Sequence, residues 1–287
     1  MERRDFLSAT LETSILASTA STTTQAQAGA APPTPATQGS AAPALPQGKA
    51  TAPGSANYFV WRQYSLRSGP LPQRMTTYLR DALVPALGRL GVKPVGVFNV
   101  SAGPGSPTVY VLTPHATAEA AINLDTQLEN DKDYMQAASD YLGAVPTDPA
   151  FVRQESSLLQ AFSNFTNVEV PAATAAQGPR LFELRCYESP NEVAHRKKVE
   201  MFNKLGEVDI FRRVGIRPVF FSRTVIGPKM PNLVYMTVFD NFAAREKAWA
   251  AFGADADWKK LNGTAGFENI VSNISIMFLS PTPYSQI

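Results

Sequence analysis

The chain has 287 residues, of which 44% are hydrophobic, and this is enough apolar material for about two domains of ~150 residues each. Its 26 Lys and Arg residues nearly balance 24 Asp and Glu residues, so the formal net charge of +2 directs the protein neither to nucleic acid nor to an anionic membrane. The single cysteine, Cys186, excludes an internal disulfide framework, and no Cys/His cluster has zinc spacing. We therefore predict no metal and no cofactor, and interpret Cys186 as an inert strand residue.

The first residues resemble an export signal. MERRDFL, at residues 1–7, contains two arginines followed after one residue by Phe-Leu, as in twin-arginine signals. Ala26-Gln27-Ala28 has the small-x-small form of a signal-peptidase site. We predict a signal peptide over residues 1–28, a disordered linker over residues 29–55, and a periplasmic or secreted location in a bacterium. No stretch approaches the ~20 apolar residues of a membrane span, so we expect no integral span.

The folded part of the sequence contains an internal repeat. GVKPVGVF begins at Gly91 and GIRPVFFS begins at Gly215, 124 positions later (215 − 91). Aligning Arg62 with Arg185 also aligns YFVWRQY with LFELRCY, so the repeat extends upstream of both glycines. A breaker-rich stretch, PAATAAQGP at residues 171–179, separates the copies and predicts a domain linker.

Each copy begins with the same order of predicted elements. After the first strand, apolar residues at helical spacing run to the repeat glycine, where a helix C-terminus is expected. A second strand starts near the repeat proline, a Gly- and Pro-rich turn follows, and the third strand reads TVYVLT or NLVYMTVF. In this alignment Tyr110 matches Tyr235. Pro85 is expected to kink the first helix of the first copy.

Each copy ends in the same way. A second helix finishes before an Asp-x-Asp-aromatic motif, DKDY or DADW, which we interpret as a helix stop. A last strand is predicted at Ser157–Phe165 in the first copy and at Asn273–Ser280 in the second.

The order strand, helix, strand, strand, helix, strand predicts a ferredoxin-like sheet with both helices on one face. The other face of such a sheet is bare and apolar, so two sheets packed on their bare faces would close a barrel. We therefore predict an α+β fold in which two ferredoxin-like βαββαβ repeats, residues 56–170 and 180–284, form an intramolecular α/β barrel. The protein would then be a monomeric pseudo-dimer or a homo-oligomer.

The second copy resembles a NIPSNAP domain. The residues that carry the resemblance are LFELRCY, GIRPVFFS, NLVYMTVFDNFAAREKAWAAF and DADWKK. The first copy is a degenerate match: it keeps Arg62, Gly91, Pro94 and Tyr110, but has His115 where the second copy has an acid, and lacks the Arg-Glu pair of the second helix.

The resemblance implies a dimeric α/β-barrel fold and a poorly defined biochemical role. Relatives of that barrel include cofactor-free quinol monooxygenases and haem enzymes, so the fold alone transfers no chemistry. A haem ligand would have to be one of the two histidines. His195 lies in a charged run, AHRKKVE, and His115 opens a loop after a strand, so we predict haem ligation for neither.

Strand alternation predicts the candidate site. Phe59, Trp61, Phe182 and Leu184 form an apolar face expected to meet the helices. The opposite face is polar and is expected to line the barrel lumen as a small-ligand site. The candidate ligand-binding residues are Arg62, Tyr64, Glu183, Arg185 and Tyr187, with Tyr110 and Tyr235 from the third strands. The alternative is a purely structural network in which Glu183 neutralises Arg185 and Tyr187 hydrogen-bonds it.

These patterns favour an exported protein that binds a small organic ligand or a partner protein, in the barrel or on its surface. The alternative is a cofactor-independent monooxygenase-like enzyme acting on a quinol or an aromatic substrate, in which Arg and Tyr side chains stabilise a developing oxyanion.

The export signal makes the first testable prediction. Replacing Arg3 and Arg4 together with Lys keeps the charge but removes the twin-arginine signature, so the precursor should accumulate in the cytoplasm of a bacterial host. Cell fractionation with immunodetection measures this. Recovery of the variant from the periplasm at the level of the unchanged protein would remove the basis for the signal assignment.

Overall fold

The computed structural model describes residues 57–102, 105, 107–170 and 180–287. The predicted signal peptide at residues 1–28 and the predicted linkers at 29–55 and 171–179 lie outside the described residues. The strands are β1 Tyr58–Ser65, β2 Gly96–Ala102, β3 Thr108–His115, β4 Arg153–Ala161, β5 Leu181–Glu188, β6 Arg217–Ile226, β7 Asn232–Phe239 and β8 Asn273–Pro281.

The α-helices of the first half are short: α1 Leu71–Thr77, α2 Val84–Arg89, α3 Ala118–Ile122, α4 Leu124–Glu129, α5 Lys132–Ala137 and α6 Ser139–Leu142. Those of the second half are α7 Glu192–Asn203, α8 Glu207–Arg213, α9 Phe242–Ala254 and α10 Ala256–Asn262. None of the helices in the described part is long and apolar enough to cross a membrane.

The eight strands form one closed antiparallel barrel in the order β1-β3-β2-β8-β5-β7-β6-β4. Within it, the first half contributes the order β4-β1-β3-β2 and the second half the matching order β8-β5-β7-β6. The two sheets join where β2 pairs with β8 and where β4 pairs with β6. The predicted α+β class and the intramolecular barrel of two ferredoxin-like sheets are confirmed.

The barrel interior is an apolar core to which both halves contribute. The rings of Phe59 and Phe220 lie 5.5 Å apart, and those of Phe98 and Phe182 lie 5.0 Å apart. All four side chains are fully buried. Because each pair joins the two sheets, neither half can keep this core without the other.

The segments that follow β4 and β8 reach across to the opposite half. The backbone N–H of Glu169 donates to the carbonyl of Val219 at 2.8 Å. In the same way, the backbone N–H of Gln286, after β8, donates to the carbonyl of Val95 at 2.9 Å. Each segment places one aliphatic side chain, Val168 or Ile287, in the interior core. These contacts pack both segments against the barrel.

The helices lie outside the barrel, where each half has its own core between sheet and helices. Where a kink was predicted in the first helix, a π-helical segment, Tyr78–Leu83, lies between α1 and α2. Pro85, the second residue of α2, has no N–H to donate to the carbonyl four residues earlier, which accounts for the change of helical register there.

One predicted boundary was wrong. The last strand of the first half runs from Arg153 to Ala161, earlier than predicted, because Phe162 and Phe165 leave the sheet and pack into the second half's sheet-helix core. A helix stops before each Asp-x-Asp-aromatic motif, as predicted, and the motif also begins the next helix: the carboxylates of Asp131 and Asp255 accept backbone N–H groups at the N-termini of α5 and α10.

The shared interior core predicts one cooperative unfolding transition for residues of both halves. Phe59→Ala and Phe220→Ala should each destabilise the whole barrel by about 3–5 kcal/mol, because each leaves a cavity at a contact between the two sheets. Scanning calorimetry should show a single peak that moves to lower temperature. Ile122→Ala, at a side chain that is 69% exposed, is the control and should change stability by less than about 0.5 kcal/mol. Two separate peaks would contradict the shared core.

Candidate functional site

The structure reverses the predicted faces of the first strands. Phe59, Trp61, Phe182 and Leu184 point into the barrel, and the polar side chains point outward, into the layer between sheet and helices. The interior is enclosed by both sheets, so it is the environment that disfavours polar groups most. The helix layer is open along its edges, so long polar side chains can bury their stems there and still reach water.

The pairing of β3 with β1 differs by one residue from the pairing of β7 with β5. Tyr110 and Tyr235 therefore lie on opposite faces of their sheets. Arg62 is opposite Val111, whereas Arg185 is opposite Tyr235. Tyr110 therefore faces the interior, where its ring stacks on Trp61 at 4.9 Å. The predicted match between Tyr110 and Tyr235 was wrong, because a shift of one residue moves a side chain to the other face of a sheet.

The candidate residues thus occupy three places. Glu183, Arg185, Tyr187 and Tyr235 come together in the outer layer of the second half. Arg62 and Tyr64 lie in the outer layer of the first half, where Arg62 binds Asp125 at 3.3 Å and Ser156 at 3.2 Å. Tyr110 is part of the interior core, and its hydroxyl donates to Gln63.

Glu183 is the centre of the second-half cluster. Its carboxylate is fully buried and accepts a hydrogen bond from Arg185 Nε at 2.7 Å. Arg245 on α9 donates two more, at 2.7 and 2.8 Å, and Trp249 Nε1 donates a fourth at 2.9 Å. Burial would raise the pKa of Glu183, but Arg245, Arg185 and Trp249 together outweigh it and hold the pKa below its ordinary value. Glu183 is therefore an anion at neutral pH.

Three side chains, those of Glu183, Tyr187 and Trp249, hold Arg185 in place. Its guanidinium carbon lies 3.8 Å from the ring centre of Trp249, close enough for a cation–π contact. Its Nη1 donates to the hydroxyl of Tyr187 at 2.9 Å, and that hydroxyl also accepts from Tyr235 at 2.8 Å. The predicted pairing of Arg185 with Glu183 and Tyr187 is confirmed.

Two hydrogen-bond donors of the cluster are unpaired among the described residues. Within the described residues, neither Nη2 of Arg185 nor Nη1 of Arg245 has a hydrogen-bond partner, and neither atom is among the fully buried unpaired groups. The side chains of Arg185 and Arg245 are 11% and 18% exposed. Two guanidinium groups share one carboxylate, so the three side chains carry a net charge of +1.

An uncovered apolar strip borders these arginines. Ile276 on β8 is opposite Arg185 and is 43% exposed, and Ile274 beside it is 47% exposed. Phe278 continues the strip and packs against Phe242 of α9 with ring centres 4.9 Å apart. In the first half, the strand positions opposite Arg62 and Tyr64 hold Ser156 and Gln154. The apolar strip is therefore a property of the second half alone.

A second buried ion pair lies in the same layer. Lys198 of α7 binds Glu207 of α8 at 2.8 and 3.0 Å, and both side chains are almost fully buried. The Lys198 ammonium also lies 4.6 Å from the ring centre of Phe202. This pair is enclosed and fixes α7 to α8, so it supports the layer without opening onto the apolar strip.

The remaining candidates have structural surroundings. His115 is buried and hydrogen-bonds Thr113, and burial together with the charge of Arg62 lowers its pKa to about 4, so it is neutral at pH 7. Burial raises the pKa of Cys186 to about 11, so its thiol is protonated. In the part of the chain that is described, no three His, Cys, Asp or Glu side chains converge as metal ligands.

Sequence reasoning missed Arg245, Trp249, Lys198 and Glu207 as members of the outer layer. A signal was present for the first two. Arg245 and Trp249 are four residues apart, so on a helix they share one face, and that face had to meet a strand carrying Glu183.

A closed barrel of two ferredoxin-like sheets with helices outside is the dimeric α/β-barrel class of fold, built here within one chain. Residues 182–286, which make up most of the second half, match the NIPSNAP family model. A search of curated proteins found no match. That the first half is a degenerate copy of the same domain stays a prediction.

Solved structures agree with the class of fold. A putative monooxygenase from Lactobacillus acidophilus NCFM aligns with a TM-score of 0.52 at 10% identity, over 79% of this chain and 94% of that one. A putative monooxygenase from Fusobacterium nucleatum has a TM-score of 0.52 at 5% identity, over 79% and 93%. A NIPSNAP-like domain protein from Burkholderia xenovorans has a TM-score of 0.32 at 22% identity, over 37% and 88%. At these identities the likeness to the two monooxygenases shows the fold and transfers no activity.

The Glu183 cluster predicts a pH-dependent contribution to stability. Because the folded-state pKa of Glu183 is lowered, its contribution is present above the unfolded pKa of about 4.3 and is lost as the pH falls through the folded value. Glu183→Gln should therefore cost about 3 kcal/mol or more at pH 7, since it leaves two guanidinium groups without a counterion. The deficit should shrink at pH 3, because below about pH 4.3 the unfolded chain takes up a proton that the folded protein binds less readily.

Thermal midpoints of both proteins at pH 7 and pH 3 measure this. Glu246→Gln, at the exposed neighbour of Arg245 on α9, is the matched control and should change the midpoint little at either pH. A deficit for Glu183→Gln that is the same at both pH values would contradict a lowered pKa of Glu183 in the folded protein.

Proposed function

We propose that this protein binds a small aromatic acid or quinone-like molecule on the outer face of the second half. The ligand's oxygen would accept hydrogen bonds from Arg185 and Arg245, and its ring would cover the apolar strip of Ile274, Ile276 and Phe278. The binding site would be the edge of the helix layer, and the barrel interior would serve as the core that supports it.

One observation carries this proposal: two guanidinium groups share a single buried carboxylate. Glu183 neutralises one positive charge, and one remains. A partly buried positive charge beside apolar surface is favourable for an anionic or strongly polar oxygen, because charge-assisted hydrogen bonds are strongest where water is partly excluded.

The apolar strip supports the same conclusion. The exposed side chains of Ile274 and Ile276 lie side by side on the outer face of β8, where a planar ring could cover them. Polar donors at one end and an apolar wall along the side are the usual construction of a small-molecule site. The first half has Ser156 and Gln154 at the matching positions, so we expect one such site per chain.

Oxygenase chemistry is the second candidate. Arg185, Arg245 and the hydroxyl of Tyr187 are donors held in place before a ligand arrives, and such donors could stabilise an oxyanion that forms when a quinol is deprotonated. Turnover of a quinol requires a base beside the apolar strip that takes its proton. Binding requires no such group. We favour binding because Glu183, the carboxylate at the site, already accepts four hydrogen bonds.

We propose further that this binding takes place outside the cytoplasm. The arginine pair Arg3-Arg4 and the Ala26-Gln27-Ala28 sequence support export, as set out above.

Binding can be tested by calorimetric titration with benzoate, 4-hydroxybenzoate and 1,4-naphthohydroquinone. Arg185→Met should weaken binding by about tenfold or more, since a charge-assisted hydrogen bond contributes about 1.5–3 kcal/mol. The variant should still fold, because Glu183 keeps Arg245 and Trp249 as partners. Ile276→Ser, which introduces the first-half residue, should also weaken binding.

Arg62→Met is the matched control, because Arg62 has the same strand position in the first half and should not affect these ligands. Oxygen consumption with the naphthohydroquinone separates the two candidate functions: uptake that depends on Arg185 supports the oxygenase, and binding without uptake supports the binding protein. Absence of binding to all three compounds, or equal binding by Arg185→Met, would contradict the proposed site.

A further inference from the structure

The hydroxyl of Tyr187 receives two hydrogen bonds and still has its own proton to donate. Arg185 Nη1 donates to it at 2.9 Å, and the hydroxyl of Tyr235 donates to it at 2.8 Å. A phenolic oxygen has two lone pairs, so these two bonds use its capacity as an acceptor. Among the described residues, no acceptor is paired with the O–H group of Tyr187.

The direction of the bond between the two tyrosines follows from burial. Tyr235 is fully buried, and its hydroxyl has no other hydrogen-bond partner within the described part of the chain. Burial raises the pKa of Tyr235 well above its ordinary value, so this hydroxyl keeps its proton. If Tyr187 were the donor, the proton of Tyr235 would be buried without an acceptor, which is costly. Tyr235 therefore donates, and the proton of Tyr187 points away from it.

Tyr187 thus adds a third donor to the two unpaired donors of the arginines. Arg185 and Arg245 both donate to Oε1 of Glu183 at 2.7 Å, so their guanidinium groups are neighbours. The Tyr187 hydroxyl is bonded to the first of them. Arg185 Nη2, Arg245 Nη1 and the Tyr187 O–H group therefore belong to one connected set of side chains, which borders the apolar strip at Ile276.

The number of donors decides which oxygen-containing group satisfies them. The oxygen of a ketone or quinone has two lone pairs and can accept from two of the three donors. A carboxylate has two oxygens with about four acceptor positions, so it can accept from all three. Its negative charge also balances the positive charge that Glu183 leaves on Arg185 and Arg245, and hydrogen bonds between charged partners are the stronger ones.

The first half does not repeat this set of donors. Arg62 is opposite Val111 on the third strand, at the position that Tyr235 has opposite Arg185. The helices that follow the third strands start at equivalent N-caps, Thr117 and Asn241, so positions on α3 and α4 can be matched to α9. The residues that match are Val60 for Glu183, Ala121 for Arg245 and Asp125 for Trp249. The three donors are therefore specific to the second half.

We propose that the ligand of this site is an aromatic carboxylate and that Tyr187 donates a hydrogen bond to one of its carboxylate oxygens. Arg185 Nη2 and Arg245 Nη1 donate to the same carboxylate, and the ring covers Ile276. Tyr235 is a positioning residue, because it directs the Tyr187 proton toward the ligand without touching the ligand itself. This inference rests on the proposed binding function and narrows its ligand to the aromatic acid.

The test compares three ligands by calorimetric titration of the full chain: benzoate, acetophenone, in which a methyl group replaces one carboxylate oxygen, and 1,4-naphthoquinone. Benzoate should bind about tenfold or more tightly than acetophenone, because it alone has the second oxygen and the negative charge. Tyr187→Phe should weaken benzoate binding by about tenfold and leave acetophenone binding nearly unchanged. Tyr235→Phe should weaken benzoate binding by a smaller factor.

Thermal midpoints separate this role from a structural one. Tyr187→Phe leaves the buried Tyr235 hydroxyl without an acceptor and should lower the midpoint, whereas combining it with Tyr235→Phe removes both hydroxyls and should restore most of the loss. The double variant should still bind benzoate about tenfold more weakly. Tyr134→Phe is the matched control, because the Tyr134 hydroxyl pairs with that of Tyr78 at 3.1 Å in the first half. It should leave benzoate binding unchanged.

The inference is overturned if acetophenone or the quinone binds as tightly as benzoate, or if the double variant binds benzoate as the unchanged protein does. Equal benzoate binding by Tyr235→Phe and the unchanged protein would overturn the positioning role of Tyr235. Binding of the quinone without binding of benzoate would overturn the inference and leave the proposed binding function in place. Absence of binding by all three compounds would overturn both.

Discussion

The structure depends on the fact that a ferredoxin-like sheet has two faces and its helices cover only one. The uncovered faces of the two halves pack on each other, so Phe59 meets Phe220 and Phe98 meets Phe182 across the barrel. Burial of apolar surface between the two sheets stabilises this contact. The pairing of β2 with β8 and of β4 with β6 follows from it, because sheets in that contact bring their edge strands together.

Closure of the barrel also decides where chemistry can occur. The interior is filled by aromatic and aliphatic side chains from both sheets, and Val168 and Ile287 add to it from the segments that follow β4 and β8. Arg62, Glu183 and Arg185 are therefore accommodated on the outer face, under the helices. There a charge can be paired by a helix residue, as Glu183 is by Arg245, while a neighbouring donor remains accessible.

The order of elements and the closure of the barrel could be predicted because their signals are local. Gly91 and Gly215 have positive φ and end helices, and apolar runs between Gly- and Pro-rich turns define the strands. The faces could not be predicted in the same way. Alternation shows that Trp61 and Arg62 lie on opposite faces, but it does not show which face is inside. Which face is inside depends on whether the layer between the two sheets or the layer under the helices is more completely closed. This is a property of the assembled barrel.

The composition of the site was harder to predict for a related reason. Glu183, Arg185 and Tyr187 are neighbours on one strand, so their association follows from the period of two residues. Arg245 and Trp249 reach them only through the packing of α9 on β5. The register of β3 on β1 differs by one residue from that of β7 on β5, and this decides that Tyr235 joins the site and Tyr110 does not.

The two halves show how a buried charge constrains sequence change. Glu183 cannot be replaced alone, because Arg245 and Arg185 would then carry unpaired charge in a partly buried layer. In the first half the carboxylate and the helix arginine are both absent, replaced by Val60 and Ala121, and the tryptophan position holds Asp125, which reaches Arg62 from the surface. The residues of this layer differ as a set because they interact as a set. Since the interior core couples the sheets and the outer layers do not touch it, each half can change its outer layer while the barrel stays closed.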